Sequence, residues 1–203
     1  MAQRTTAAAP GQRARILDAA LTCFSRAGIA GTTLDQIRSE AGVSVGGLYH
    51  HFGDKLDIAG ELYLEGLEAY QLGLLDVLRQ EPEARAGIRA GVEHHVGWRV
   101  RNREIAAFLD ETPALRALPD IRAKLEELNR PFYAEVLAWW RGHLHYGALR
   151  DLDLDLGYSL WLGPADSYCR LWEAGRVKRP DPKQIATLAD AAWASVRGER
   201  KGD

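Results

Sequence analysis

Residues 31–55 read GTTLDQIRSEAGVSVGGLYHHFGDK, and this stretch decides the fold. Thr33 stands where a hydroxyl caps the free amides of a helix, and Gln36 three residues on completes a capping-box pattern. A short helix over residues 34–41 follows, with Leu34, Ile37 and Ala41 turned inward. Gly42 suits the left-handed residue that ends this helix, Val43 serves as an apolar plug, and Ser44 caps a third helix to about Phe52. Gly53 breaks that helix and Asp54 caps the next. Upstream, Ile16, Leu17, Ala20, Leu21 and Phe24 recur at helical spacing from Gln12 onward, and Gly28 supplies a stop. Three short helices with a glycine turn between the second and third are the minimum machinery for laying a helix in the major groove of B-DNA.

Beyond this unit the helical pattern continues. A long helix from Asp54 to about Gln80 carries Leu56, Leu62, Leu67 and Leu74, and further helices are predicted over about 83–101, on to Asp110, over 119–146, 153–174 and 181–197. Breaks fall at Thr112-Pro113, at Gly147 and in the linker 175–182. The alternation Asp151-Leu152-Asp153-Leu154-Asp155-Leu156 is the one strand-like run, and it reads as a turn leading into a capped helix. The fold class is therefore all-α. Its parts are a leader over 1–11 read as disordered, a helix-turn-helix domain over 12–55, a larger helical domain over 56–198 and a tail over 199–203.

Composition sets the outer limits. The chain has 203 residues, 46% hydrophobic and 27% charged, and no apolar run approaches the roughly 20 residues of a membrane-spanning helix. The leader lacks the apolar core of a signal peptide, so the expected compartment is the cytoplasm. Cys23 and Cys169 sit far apart inside apolar helical patterns and read as buried thiols, with no disulfide and no metal site. The net charge of -2 conceals an asymmetry: residues 1–55 hold six basic and four acidic residues, the remainder 20 basic and 24 acidic. The positive end is the one carrying the glycine turn.

The third helix offers free backbone amides at its amino end, the Ser44 hydroxyl, and the polar tips of Tyr49, His50 and His51. Lys55 adds a cation at the start of the fourth helix. The same segment resembles the signature of the TetR/AcrR family of repressors: the Thr32-Thr33 pair, Ala41-Gly42-Val43-Ser44 at the turn, Leu48-Tyr49, His51-Phe52 and Lys55. With the first helix, the resemblance covers residues 12 to about 60. It implies a homodimer on a palindromic double-stranded DNA operator, a ligand-binding C-terminal domain, and release of DNA when a small hydrophobic effector binds.

Carried over residue by residue, it puts Thr33, Ser44, Tyr49, His50, His51 and Lys55 against the phosphate backbone, with Tyr49 near a base, and Val45, Gly46 and Gly47 against base edges. The commoner pattern has Lys, Arg or Gln where Val45 stands, and Thr, Ser or Ala where Gly47 stands. Hydrogen-bonded base readout is therefore expected to be sparse, with shape and deformability carrying more of the specificity. Arg38 replaces a small apolar residue and faces either DNA or solvent, and His51 either touches phosphate or packs on the fourth helix.

Six tryptophans exceed what a minimal helical core requires. An apolar effector pocket is expected from Trp98, Phe108, Tyr133, Trp140 and Trp161, with His94 or His95 as polar anchor. Dimerisation through the last two helices is expected to use Leu160, Tyr168, Trp172, Ile185, Leu188, Ala192 and Trp193, although the same spacing fits packing within one chain. An enzyme built on Glu93-His94-His95, Asp110-Glu111 or His143 and His145 is disfavoured. His143 and His145 diverge on a helix, and the chain has neither a nucleophile motif nor a phosphate-cradling loop, so no catalytic residue and no cofactor is assigned. A helical adaptor that leaves DNA alone is disfavoured by the helix-turn-helix itself.

Overall fold

The computed structural model describes residues 11–198, so the expected leader, Gly11 apart, and the expected tail lie outside the described residues. Among the described residues nine α-helices follow one another: α1 Gln12–Gly31, α2 Leu34–Ala41, α3 Val45–His51, α4 Lys55–Gln80, α5 Ala84–Arg101, α6 Arg103–Glu111, α7 Pro119–His145, α8 Leu154–Glu173 and α9 Pro182–Val196. A 3-10 turn, Pro113–Ala117, joins α6 to α7. The Asp151–Leu156 alternation is not a strand and leads into α8 at Leu154, but the expected cap is missing, since the Asp153 side chain accepts no hydrogen bond from the helix; a lone bridge between Leu149 and Arg197 is the β-type pairing among the described residues.

Local chemistry explains the small helices. Thr33 Oγ1 accepts from Gln36 N while Gln36 Oε1 accepts from Thr33 N at 2.7 Å, the reciprocal capping box. Gly42 takes φ 62°, ψ 40°, and its amide closes back on the α2 carbonyls of Arg38 and Ser39. Ser44 Oγ accepts from Gly47 N at 3.0 Å, and Asp54 accepts from both Leu56 N and Asp57 N. Gly28, the expected stop of α1, does leave helical geometry at φ 68°, ψ 169°, but the chain adds one more turn to Gly31.

Two apolar clusters organise the packing. The N-terminal one gathers Ile16, Phe24, Ile37, Leu48 and Phe52 with Ile58 and Tyr63 of α4, Phe108 of α6 and Ile121 of α7. The first core thus runs past residue 55 into the helices behind it. The second cluster joins the far half of α4 to α5, α7, α8 and α9 around Leu74, Ile88, Val92, Trp140, Trp161 and Cys169. Cys169 is fully buried, and that apolar setting pushes its thiol up to about 12. Cys23 is only half-buried, against expectation, because it lies at the rim of the first cluster.

Candidate nucleic-acid interface

The amino-terminal half of α3 stands out from the protein. Leu48 and Phe52 anchor it in the first core, while Val45 and Tyr49, one turn apart, are 58% and 57% exposed. Ser44, Gly46 and His50 are exposed with them, and Gly47 and His51 are half-buried at the flanks. Thr33, exposed at the start of α2, lies in the same segment. Along α3, a hydroxyl, an imidazole, a phenol and backbone amides at the helix N-terminus supply the chemistry of phosphate contact, while the Thr33 hydroxyl is taken up in the capping box with Gln36.

Three residues are more committed than their sequence positions suggest. Lys55 donates from Nζ to Thr32 O at 2.8 Å and Ala30 O at 3.1 Å, closing the carboxyl end of α1, so two of its three N–H groups are already engaged within the chain. Arg38 is half-buried, bonded through Nε to Asp35 Oδ1 at 2.8 Å and reaching Val43 O at 3.4 Å; it braces the turn. His51 packs edge-on to His50 at 5.0 Å and borders a cleft of about 780 Å³ that Phe52, Arg13, Glu61 and Lys124 also line.

The residues expected to form an effector pocket do not all meet. Trp140 and Trp161 do, at 6.4 Å between ring centres, but Trp161 is fully buried with Nε1 donating to Ile88 O at 2.8 Å. Phe108 belongs to the other cluster, stacked on Phe24 at 5.8 Å, and lines an apolar groove of about 380 Å³ beside α1. That placement corrects the expectation: α6 turns Phe108 toward the first core. Tyr133 is half in solvent beside Phe132.

Trp98 packs edge-on to Tyr70 at 5.3 Å, and Tyr70 Oη lies 2.8 Å from His95 Nδ1. His95 is 7% exposed, and its Nε2 has no hydrogen-bond partner, Asp166 Oδ1 standing 3.6 Å away. Burial raises the Tyr70 phenol well above its ordinary range. His94 faces elsewhere, its Nε2 3.2 Å from Tyr70 O.

Beside His95 lies an ion cluster that sequence reading missed. Arg99, almost fully buried, donates to Asp166 at 2.9 Å, to Asp110 at 2.6 Å and to Glu173 at 2.6 and 3.1 Å. Burial opposes the charge on Arg99, but the bonds to Glu173 and Asp110 outweigh it and hold its pKa above the ordinary guanidinium value. Asp166 is held below the usual carboxylate range: burial pushes it up, and the nearby His95 ring together with the charges of Arg99 and Arg170 overrides that. A basic residue in the last turn of one helix and acids spread over two others gave no local signal.

Of the expected dimer seam, Leu160, Tyr168, Trp172, Ile185, Leu188 and Trp193 are half-buried on α8 and α9. Trp172 lies under the Arg103 guanidinium at 5.2 Å. Ala192 is corrected: it is 1% exposed, turned with Ala189 and Val196 into the core of its own chain.

A helix-turn-helix with an exposed recognition surface, backed by a helical domain, defines a DNA-binding regulatory protein of the helix-turn-helix class. A family model described as "Bacterial regulatory proteins, tetR family" matches residues 16–62. The HTH-type transcriptional regulator SrpR of Pseudomonas putida is 48% identical over 58 residues, which are 29% of this chain and 27% of SrpR's length. The HTH-type transcriptional repressor KstR2 of Mycobacterium tuberculosis is 28% identical over 202 residues, covering 94% of this chain and 82% of its own. A bacterial regulatory protein in the tetR family from Rhodococcus RHA1 shares the fold with a TM-score of 0.77 at 21% identity, covering 94% of this chain and all of its own. The amino-terminal domain of this chain, over residues 16–62, is thus of the tetR-family type.

Proposed function

We propose that this protein is a cytoplasmic transcriptional repressor that binds a palindromic operator as a homodimer and leaves it when a small hydrophobic effector binds. Residues 12–55 are the reader, and residues 56–198 bind the effector and form the dimer. The observation that carries the reading is the α3 surface, where Val45 and Tyr49 stand exposed on a helix whose opposite side is locked into the core by Leu48 and Phe52. A helix held this way can enter a groove without disturbing the packing beneath it. None of the helices is long and apolar enough to cross a membrane, among the described residues.

The dimer reading rests on the half-buried apolar residues of α8 and α9, which suit a four-helix bundle between two copies. The effector reading rests on His95, whose unpartnered Nε2 is a buried polar atom of the kind that a bound molecule's polar group satisfies, with Trp98 and Tyr70 as apolar walls. Binding to a duplex from the region upstream of its own gene, followed by fluorescence anisotropy across salt concentrations, tests the function. Affinity is expected to fall linearly on a log-log plot with a slope near -0.9 per phosphate contact. Tyr49→Ala should weaken binding at every salt concentration, and a Tyr49→Ala variant that binds like wild type removes α3 from the interface.

A further inference from the structure

The amino end of α3 lacks what base reading in the major groove demands. Val45, Gly46 and Gly47 carry no hydrogen-bonding side chain. Another residue fills the space where one would stand. Gln12, the first residue of α1, lays its carboxamide over Gly47. A methyl group on Gly47 would collide with Gln12 Nε2 and would sit only 3.1 Å from both Gln12 Cδ and Ser44 Oγ. Glycine at 47 is therefore what lets the carboxamide rest against α3. Gln12 is half-exposed, and Gly47 flanks the surface formed by Val45, Gly46 and Tyr49.

The chemistry narrows the role. Phosphate needs donors, and this surface has them already in the α3 amides, Tyr49 and His50. Ser44 Oγ is occupied as the cap of Gly47 N. A carboxamide instead offers a donor and an acceptor side by side, the arrangement that pairs with adenine through N6 and N7. We propose that Gln12 is a specificity-determining residue that reads an adenine in each half-site through the gap left by Gly47. The inference rests on the DNA-binding function proposed above.

The test is selection by full-length protein from duplexes randomised over about 20 base pairs, roughly two half-sites one helical turn apart, with the bound pool sequenced. Wild type should enrich adenine at one position of each half-site. Gln12→Ala should lose that preference at that position alone and bind the best sequence about tenfold less tightly, while Gln12→Glu should move the preference toward cytosine, whose N4 donates to a carboxylate. Gly47→Ala, whose methyl displaces the carboxamide, should behave like Gln12→Ala. Preferences kept at the remaining positions show that the variants are folded. Variants with the wild-type preference at every position overturn the assignment, as does a loss shared equally by all sequences, which marks a backbone contact. A wild-type pool with no enriched sequence overturns the DNA-binding function itself and the inference with it.

Discussion

His94 shows how burial of one ring becomes a property of the whole chain. Its imidazole packs over Gly73 and lies with Nε2 3.2 Å from the Tyr70 carbonyl, and burial holds its pKa below the ordinary histidine value. His143, against Trp139 at 4.3 Å, is lowered by burial too. In both cases the unfolded chain takes up the proton first as pH falls. Their contribution to stability is therefore complete above the unfolded pKa of about 6.5 and is lost as pH drops through the lower folded values. The midpoint of thermal unfolding should fall between about pH 7 and pH 5, more steeply for wild type than for His94→Gln. Equal slopes would show that His94 takes up its proton alike in the folded and the unfolded chain. The same contact places a proton on Nε2, since a carbonyl oxygen only accepts.

At the scale of elements, Arg99 binds α5 to α6 through Asp110 and to α8 through Asp166 and Glu173. Arg170 adds a second cation to the same carboxylates, at 2.8 Å from Asp166 and 3.3 Å from Asp110, but on the solvent side. Arg99→Ala leaves half-buried acids facing one another around the space of a buried guanidinium, and urea unfolding should show a loss of about 3 kcal/mol, whereas Arg170→Ala should cost less than about 1 kcal/mol. Comparable losses would mean that burial does not set the strength of this cluster. The small helices were legible in the sequence because what bounds them is local. The Thr33–Gln36 box, the left-handed Gly42 and the Ser44 cap each lie within a few residues of their partners. What escaped was long-range. The Trp161 indole lies across Gly91, Phe108 meets Phe24 on a distant helix, and the rotation of α9 about its axis decides that Ala192 points inward. Spacing reveals that a helix has an apolar stripe, but not which neighbour covers each part of it. The exposed face of α3 was legible for the same local reason, although the engagement of Lys55 with the carbonyls of Thr32 and Ala30, 23 and 25 residues away, was not.

For the molecule as a whole, the question is what joins α7 to the helix-turn-helix. Glu61 of α4 stands at the junction, accepting from Arg13 of α1 at 2.7 Å and from Lys124 of α7 at 2.6 Å. The Lys124 hydrogen bond is the main reason its carboxyl titrates below the usual carboxylate range. These ion pairs are partly exposed, so each contributes little to stability, less than about 1 kcal/mol. Their geometry matters more than their strength. α1 carries Gln12 at its amino end and Arg13 one residue later, so a shift of α7 against α4 pulls on the helix that borders the reading surface. Coupling of this kind is reciprocal: whatever α7 does to DNA affinity, DNA does to α7. Hydrogen exchange with and without a selected operator duplex makes this measurable. Bound DNA should slow exchange in α1 and, through Glu61, in the first turns of α7 that carry Lys124. In Glu61→Gln, which keeps the size of the side chain but gives up its charge, the slowing in α1 should persist and that in α7 should fade, with stability nearly unchanged. Undiminished protection of α7 in the variant would place the route between the two domains elsewhere, in the apolar contacts of Ile121 and Phe108 with the first core.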